Sequence, residues 1–431
     1  ENTGFSAQQG WLSFYYYNAP RPMHSAERAY SDEAVIQELR LVSNTEGLFD
    51  WIAGVFYRDQ DTRSQQVNYL RNYYNWAWTA WGCCVLGDDD FRYDRQENFK
   101  DSAVFGELTW NISDEFRLTG GFRYFDLDYT NDTFMGVGLY EAFHVDEQVY
   151  LEGSDSDTLF KINAAFDVND ETMLYGTISE GFRRGGTNAV PLSGTFAESP
   201  AWLSYGPDTT TNYEVGIKGT WNNSFYNASV FYVDWEDIQL NTATTNWAFY
   251  AAQNGSSATT KGVELEYDLA FGEGWRLNLG YAYTEGEMDE VMWSADDVYI
   301  VAQAGARLPG LAEHTVNAML EYAVEIGGGI QWVNRISGYY QSETKNSISD
   351  TSAFFSAEMG DFSLWDFNSN FMLGNWTLGL FVKNLFNEEG VVGIFKEEYM
   401  GTAPDQNYFG NGSKNIIARP RTVGVAVTWD F

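Results

Sequence analysis

The sequence predicts an all-β fold, an antiparallel transmembrane β-barrel of about 16 strands. Three observations predict it: apolar and polar residues alternate along many segments, short turns and long connections alternate between those segments, and tryptophans gather near the short turns. Alternation with a period of two is the pattern of a strand that has one apolar face. A soluble sandwich would also alternate, but short turns at one end of all the strands and long loops at the other end are typical of outer-membrane barrels.

The alternation is clearest in two segments. In residues 421–431 every second residue is apolar, and these are Val423, Val425, Val427, Trp429 and Phe431. In residues 260–271 one parity carries Val263, Leu265, Tyr267 and Leu269, and the other carries Glu264, Glu266 and Asp268. We expect the apolar parity to meet lipid and the acidic parity to face the lumen.

Segments of this kind follow one another along the whole chain. In order, they lie near residues 10–17, 35–44, 48–58, 101–111, 115–128, 157–167, 171–181, 210–221, 224–236, 260–271, 274–285, 313–323, 329–341, 361–372, 375–385 and 421–431. Seven tight turns separate them, at residues 44–47, 112–115, 168–171, 222–224, 272–274, 325–329 and 373–375, and long segments lie between. We expect the turns to face the periplasm and the long loops to face the outside.

Six tryptophans lie within a few residues of these turns or of the C-terminus. They are Trp51, Trp110, Trp221, Trp275, Trp376 and Trp429. Their common position predicts an aromatic girdle at one membrane interface. The alternative is that they are ordinary buried core residues.

Composition excludes several classes of function. The chain has 25 basic and 61 acidic residues, a formal charge of -36, which would repel the phosphates of a nucleic acid. The three histidines are not at metal-ligand spacing, and no GxSxG, P-loop or HExxH motif is present. We therefore predict a protein that is not an enzyme, with no catalytic residues, no metal site and no cofactor.

Several segments resemble, in the expected order, the C-terminal barrel of the TonB-dependent outer-membrane receptors. They include IQELRLVS (36–43), LFDWIAGVFY (48–57), SEGFRRGGTN (179–188), NYEVGIKGTW (212–221), FVKNLFN (381–387) and ARPRTVGVAVTWDF (418–431). The resemblance implies active import of a scarce ligand, such as siderophore-bound iron, cobalamin or an oligosaccharide, across the outer membrane of a Gram-negative bacterium. It also implies two partners, the energy-coupling protein TonB and the lipid and lipopolysaccharide bilayer.

Members of that family have 22 strands around a plugged lumen. Residues 1–431 are therefore expected to be the C-terminal portion of such a barrel, its last 16 strands, with the plug domain and the first strands absent from this sequence. Sixteen is also a porin strand count, so a passive 16-stranded porin is an alternative. A structural or accessory barrel within a larger assembly is another.

Ligand-binding residues are predicted in three long loops, near residues 59–100, 181–209 and 286–312. The first loop carries Tyr73, Tyr74, Trp76, Trp78 and Trp81, the second carries Arg183 and Arg184, and the third carries Trp293. Aromatic faces can stack on sugars or catecholates, and paired guanidinium groups can bind carboxylates or anionic chelates. The alternatives are packing of the rings on one another and salt bridges from the arginines to acidic loops.

Two further features lie in the first loop. Cys83 and Cys84 would face an oxidising exterior, where either a vicinal disulfide or two buried thiols is expected. The run from Asp88 to Asp90 lacks the spaced geometry of a calcium loop and predicts a solvated acidic tip instead.

Overall fold

The computed structural model describes residues 23–44, 47–82, 84–138, 140–246, 250–348, 356–395 and 414–431, and strands dominate them. The strands are β1 (Met23–Val42), β2 (Phe49–Arg71), β3 (Asp89–Asn111), β4 (Phe116–Val137), β5 (Val145–Asn169), β6 (Thr172–Arg183), β7 (Gly186–Thr187), β8 (Ser204–Tyr205), β9 (Asp208–Trp221), β10 (Ser224–Glu236), β11 (Gln239–Ala243), β12 (Tyr250–Asn254), β13 (Ala258–Phe271), β14 (Trp275–Met288), β15 (Met292–Trp293), β16 (Ile300–Ala302), β17 (His314–Glu325), β18 (Gln331–Gln341), β19 (Thr344–Lys345), β20 (Glu358–Met359), β21 (Phe362–Leu373), β22 (Trp376–Lys383), β23 (Val391–Phe395), β24 (Lys414–Ile417) and β25 (Thr422–Trp429). One α-helix, α1 (Tyr73–Trp81), and two 3-10 turns, Glu141–Phe143 and Pro200–Trp202, complete the elements. Within the described ranges, no helix has the length and hydropathy required of a membrane-spanning helix.

The main sheet is an antiparallel meander. Among the described residues it has fifteen strands, in the order β1-β2-β3-β4-β5-β6-β9-β10-β13-β14-β17-β18-β21-β22-β25. Each of them overlaps one of the predicted strands from 35–44 onwards, and six of the seven predicted tight turns join consecutive strands of the sheet. The seventh predicted turn, at 44–47, lies partly outside the described residues. The strand predicted near 10–17 lies outside the described residues. The count of 16 and the closure of the sheet into a barrel therefore stay predictions.

The pairing register sorts side chains onto two faces, because residues directly opposite each other in a sheet point to the same side. Leu265 of β13 pairs with Ala228 of β10 and with Tyr281 of β14, so an apolar row crosses three strands. Leu265 itself is 45% exposed. This surface, which we call the apolar face, carries the parity that the sequence predicted to meet lipid.

The opposite face, here called the polar face, carries ion pairs between strands, two of them between neighbours and one, from Lys161 to Glu107, across β4. They join Lys161 to Glu107 at 3.1 Å, Arg276 to Asp268 at 2.9 Å and Arg335 to Glu321 at 2.5 Å. Asp268 belongs to the acidic parity predicted to face a lumen or plug, and its partner is supplied by the next strand of the sheet.

The six tryptophans near the turns are exposed rather than buried. The least exposed of them is Trp275, at 38%, and the most exposed is Trp221, at 69%. Three of them stack in cross-strand pairs, with ring centroids 6.1 Å apart for Phe271 and Trp275 and 5.9 Å apart for Trp376 and Trp429. Burial as core residues is therefore wrong for these six, and the exposure is the one that an interfacial girdle requires.

The first five strands are much longer than the sequence predicted. We call β1 to β5 the tall wall: these strands have 20 to 25 residues, whereas the other strands of the main sheet have 8 to 14. The predicted loop at 59–100 is therefore wrong in its bounds, because β2 runs to Arg71 and β3 begins at Asp89. In β2 the residues from Arg58 to Gln66 are polar on both faces, so the alternation that marks a lipid-facing strand disappears there.

The tall wall separates from the rest of the sheet above its base. In the described part of the chain, β5 pairs with β6 only between Lys161 and Asn169. The residues of β5 from Val145 to Phe160 pair on one side only, with β4.

The long connections of the shorter strands fold into a compact loop core. Its buried residues are Ile238, Ala258, Met288, Met292, Val301, Ala302, Ala306, Leu308 and Ile348. Carboxylates tie the connections together: Asp296 accepts hydrogen bonds from the hydroxyl groups of Thr245 at 2.5 Å and Ser294 at 2.7 Å. Burial alone would raise the pKa of Asp296, but these hydrogen bonds outweigh it and hold the pKa below its ordinary value.

Candidate ligand-binding site

Arg183 lies at the end of β6, and its side chain forms a structural clasp. Its guanidinium pairs with Asp208 at 2.5 Å and lies over the ring of Trp235, 5.5 Å from the centroid. Asp208 is 2% exposed and also accepts hydrogen bonds from Trp235 Nε1 and from the backbone N–H of Gln239, each at 3.0 Å. The clasp joins the ends of β6 and β10 to the starts of β9 and β11, so Arg183 is held by an acidic partner.

Arg184, the next residue, is placed quite differently. Its guanidinium carbon lies 3.6 Å from the centroid of the Phe99 ring, on the polar face of the tall wall. No carboxylate lies within ion-pair distance of it among the described residues, and its buried Nη1 has no hydrogen-bond partner there. Burial, followed by the nearby charge of Arg58, lowers the pKa of Arg184. A desolvated guanidinium with an unused donor is a binding group for an anion.

Tyr205 and Arg95 extend this surface. Burial raises the pKa of Tyr205, while the charges of Arg95 and Arg184 act on it in the opposite direction, so the phenol lies within electrostatic range of both guanidinium groups. Arg95 has a buried Nε without a hydrogen-bond partner in the described residues, and its contact with Glu97 is loose, at 3.9 Å. We call Arg184, Arg95, Glu97, Phe99 and Tyr205 the Arg184 cluster.

The backbone is shaped to let the rings of this cluster lie flat. A side chain at Gly186 would collide with the ring of Tyr205, and one at Gly153 would collide with the ring of Tyr129. Tyr129 pairs with Phe99 across β3 and β4. Two guanidinium groups with unused donors therefore lie among aromatic rings that only glycines make room for, an arrangement suited to planar anionic groups.

The aromatic residues of the first predicted loop lie at the tip of the tall wall, in and beside α1. Tyr73 is 2% exposed, its hydroxyl group lies 3.0 Å from that of Tyr140, and its ring centroid lies 5.5 Å from that of Trp76. Packing of rings on one another therefore accounts for Tyr73 and Trp76. Tyr74, Trp78 and Trp81 are 39%, 46% and 48% exposed, although Trp81 also packs edge-on against Trp76, with ring centroids 5.0 Å apart.

The acidic run beside this tip has a structural role at its first residue. Asp88 accepts hydrogen bonds from the backbone N–H groups of Asn72 at 2.9 Å and Tyr74 at 2.8 Å. It thereby satisfies donors at the N-terminus of α1, where the helix dipole also favours a negative charge. At the other end, Gly82 closes the helix with a positive φ of 75° and donates to the carbonyl of Trp78 at 3.0 Å.

Cys84 follows this helix and is disulfide-bonded. The sequence contains one other cysteine, Cys83, which lies outside the described residues. The Cys83–Cys84 bond therefore stays a prediction.

The tip and the Arg184 cluster are far apart. Phe99 lies ten residues along β3 from Asp89, where the strand begins, so about 34 Å separates it from the tip at about 3.4 Å per residue. Trp293 lies elsewhere again, 48% exposed on β15 above the loop core. One small ligand cannot contact all the predicted residues, so we treat the tip and the Arg184 cluster as separate surfaces.

Sequence reasoning missed most of the Arg184 cluster. Arg95, Glu97 and Phe99 lie in a stretch read as loop, and Tyr205 reaches them only through the fold of the β6–β9 connection. The sequence held one weak signal for the cluster. Arg95, Glu97 and Phe99 are alternate residues of β3, so in a strand their side chains lie on the same face.

The chain is similar to known proteins in both sequence and fold. The sequence matches the family described as "TonB dependent receptor-like, beta-barrel" over residues 2–385. The pesticin receptor of Yersinia enterocolitica is 26% identical over 206 residues, which cover 47% of this chain and 29% of that protein. The ferripyoverdine receptor of Pseudomonas aeruginosa is 30% identical over 129 residues, 28% of this chain and 15% of that protein.

Among solved structures, the ferric yersiniabactin uptake receptor FyuA from Yersinia pestis superposes with a TM-score of 0.74 at 16% identity. The match covers 95% of this chain and 55% of that one. The chain thus spans about half the length of the solved receptor and less than a third of the pesticin receptor. Since the family match extends over most of the sequence, this chain belongs to the β-barrel family of TonB-dependent receptors.

Proposed function

We propose that this chain is part of a receptor that imports a ferric siderophore across the outer membrane of a Gram-negative bacterium, coupled to TonB. Family membership supports active import, and the similarity to a ferripyoverdine receptor and to a ferric yersiniabactin uptake receptor supports an iron chelate as the cargo. The apolar face of the main sheet supports a position in a bilayer. Contact with TonB is part of this proposal, and no covalent chemistry is assigned to the protein.

The Arg184 cluster is the observation that carries the choice of ligand. Anionic chelates present planar groups with negatively charged oxygens, which match guanidinium donors and aromatic ring faces. The charge of -36 opposes such ligands at long range, but charges beyond about 8 to 10 Å are largely screened in physiological salt. Within the cluster, Arg95 and Arg184 therefore dominate the field that a bound ligand experiences.

Uptake should require an energised cell. Cells that produce the full-length protein are expected to accumulate iron-55 supplied as ferric yersiniabactin or ferric pyoverdine, and to stop when TonB is deleted or the proton-motive force is collapsed. The alternative, a passive porin, transports equally well in all three conditions. Equal uptake in energised and TonB-deleted cells would therefore contradict active import and favour the porin.

Replacing Arg184 should weaken binding of the same chelates. Arg184→Gln removes the charged donor beside Phe99, and a hydrogen bond to a charged group contributes about 1.5 to 3 kcal/mol, so the dissociation constant should rise by about tenfold or more. Arg184→Lys keeps the charge but loses the planar donor set, and should recover only part of the affinity.

A matched control is available on the same wall. Arg63→Gln breaks an exposed ion pair with Asp94 on the other face of β2 and β3, where Arg63 is 48% exposed, and should leave chelate binding unchanged. The purified full-length receptor is titrated with each ferric chelate for all three variants. If Arg184→Gln and Arg63→Gln bind alike, the Arg184 cluster is not the ligand site.

A further inference from the structure

The tip of the tall wall stands well above the bilayer. Tyr57 of β2 is 42% exposed on the apolar face, and Asp59 and Asp61 follow it on that face, so the membrane boundary is placed near Tyr57. The strand continues from there to α1, which begins at Tyr73. With a rise of about 3.4 Å per residue and a strand tilt of about 40°, the segment from Tyr57 to Tyr73 places the start of α1 about 40 Å above the membrane boundary.

The surface presented at that height is aromatic and uncharged. Residues 72–87 contain no charged side chain, although the chain as a whole carries -36. Tyr74 and Trp78 are half-exposed, and their ring centroids lie 6.0 Å apart at an interplanar angle of 51°. Trp81 and Leu86, 48% and 49% exposed, continue the patch. We call Tyr74, Trp78, Trp81 and Leu86 the tip patch.

We infer that the tip patch is a docking site for uncharged carbohydrate chains. The apolar C–H faces of a sugar ring pack on aromatic rings while its hydroxyl groups stay in water, so neutral sugars need the ring faces that the patch offers and no charged partner. This inference rests on the outer-membrane location in the proposed function, which would place the tip among the carbohydrate outside the bilayer. Anionic glycans fit less well, because Asp88 and Asp89 border the patch in a strongly acidic protein.

The size of the patch favours a sugar over a protein. A helix of nine residues is about 13 Å long, the scale of a short oligosaccharide. A stable protein interface buries about 800 Å² on each partner. The four side chains of the tip patch, on one short helix and the segment after it, do not provide that area. The site is independent of the proposed import function, because it lies about 34 Å along β3 from the Arg184 cluster.

The test uses the purified full-length receptor and end-labelled maltoheptaose, cellohexaose and mannohexaose, with binding followed by fluorescence anisotropy. At least one of these neutral probes should bind saturably, and its carboxylated counterpart should bind more weakly. Trp78→Ala and Tyr74→Ala should each raise the dissociation constant by about fivefold or more, the loss expected of an aromatic anchor.

Tyr150→Ala is the control, since Tyr150 is an aromatic residue, 59% exposed, that lies on β5 and not at the tip. It should bind like the unaltered receptor, and circular dichroism should confirm that all variants are folded. The inference is overturned if none of the neutral probes binds, or if binding survives both tip substitutions. It is also overturned if the tip substitutions abolish recognition of a purified protein partner, such as a bacteriocin, while leaving sugar binding intact.

Discussion

Leu265→Arg is expected to lower the free energy of unfolding by about 2 to 4 kcal/mol, the cost of an arginine on the lipid side of a barrel near the bilayer midplane. The residue lies in an apolar row, between Ala228 and Tyr281 on the neighbouring strands. An arginine there would place its charge in hydrocarbon, with no acidic partner in that row. Denaturant unfolding of the full-length protein in lipid vesicles measures the loss.

Glu266→Arg is the matched control, one residue further along β13 and on the opposite face. The polar face already holds arginines, such as Arg276 and Arg335, so a new one there can stay hydrated or find a carboxylate. The expected loss is well below 2 kcal/mol. Equal losses for the two variants, or a larger loss for Glu266→Arg, would mean that the apolar face does not meet lipid.

Asp208→Ala is expected to destabilise the base of the loops by about 2 to 3 kcal/mol. Removing one member of a buried pair costs about 3 to 5 kcal/mol, but Arg183 is half-exposed and can recover part of its hydration. Trp235 Nε1 and the N–H of Gln239 would also lose their acceptor. Hydrogen exchange of backbone amides in residues 237–246 should report the loss, because these residues follow the clasp directly.

A double-mutant cycle shows whether the clasp acts as a unit. If it does, Arg183→Ala combined with Asp208→Ala should cost little more than Asp208→Ala alone, since the second change removes a partner that is already lost. Additive costs would show that Arg183 acts elsewhere, for instance on a ligand. The cycle thus separates the two roles that the sequence left open for this arginine.

The strands with an apolar face could be predicted from sequence because such a face imposes a two-residue pattern. From Val263 onwards in β13 and from Val423 onwards in β25 every second residue is apolar, and the structure places those residues on one face. The upper halves of β2 to β5 could not be predicted in this way. In β2 the residues from Arg58 to Gln66 are polar on both faces, including the half-buried Gln60, Thr62 and Ser64, so the two-residue period is lost.

The candidate site, too, could be predicted from the sequence only in part. Arg183 and Arg184 were conspicuous as a pair, but adjacent residues of an extended chain point to opposite sides, and the fold gives one a carboxylate and the other an aromatic ring. Which arginine receives Asp208 depends on the position of β9, 25 residues away. Contacts between residues this far apart in the sequence depend on tertiary packing, and a local sequence pattern does not encode them.

The part of β5 that pairs only with β4 leaves one strand edge at which another chain can add a strand. A strand edge with free N–H and C=O groups invites strands of other chains, and natural proteins block such edges with charge. Here carboxylates occupy the donors: Glu180 accepts from the N–H of Phe160 at 2.8 Å, and Asp157 accepts from that of Thr158 at 2.7 Å. Further along β5, the carboxylate of Glu147 accepts a hydrogen bond from the backbone N–H of Leu192 at 2.8 Å. Part of the large negative charge thus protects this edge from pairing with the edge of another chain.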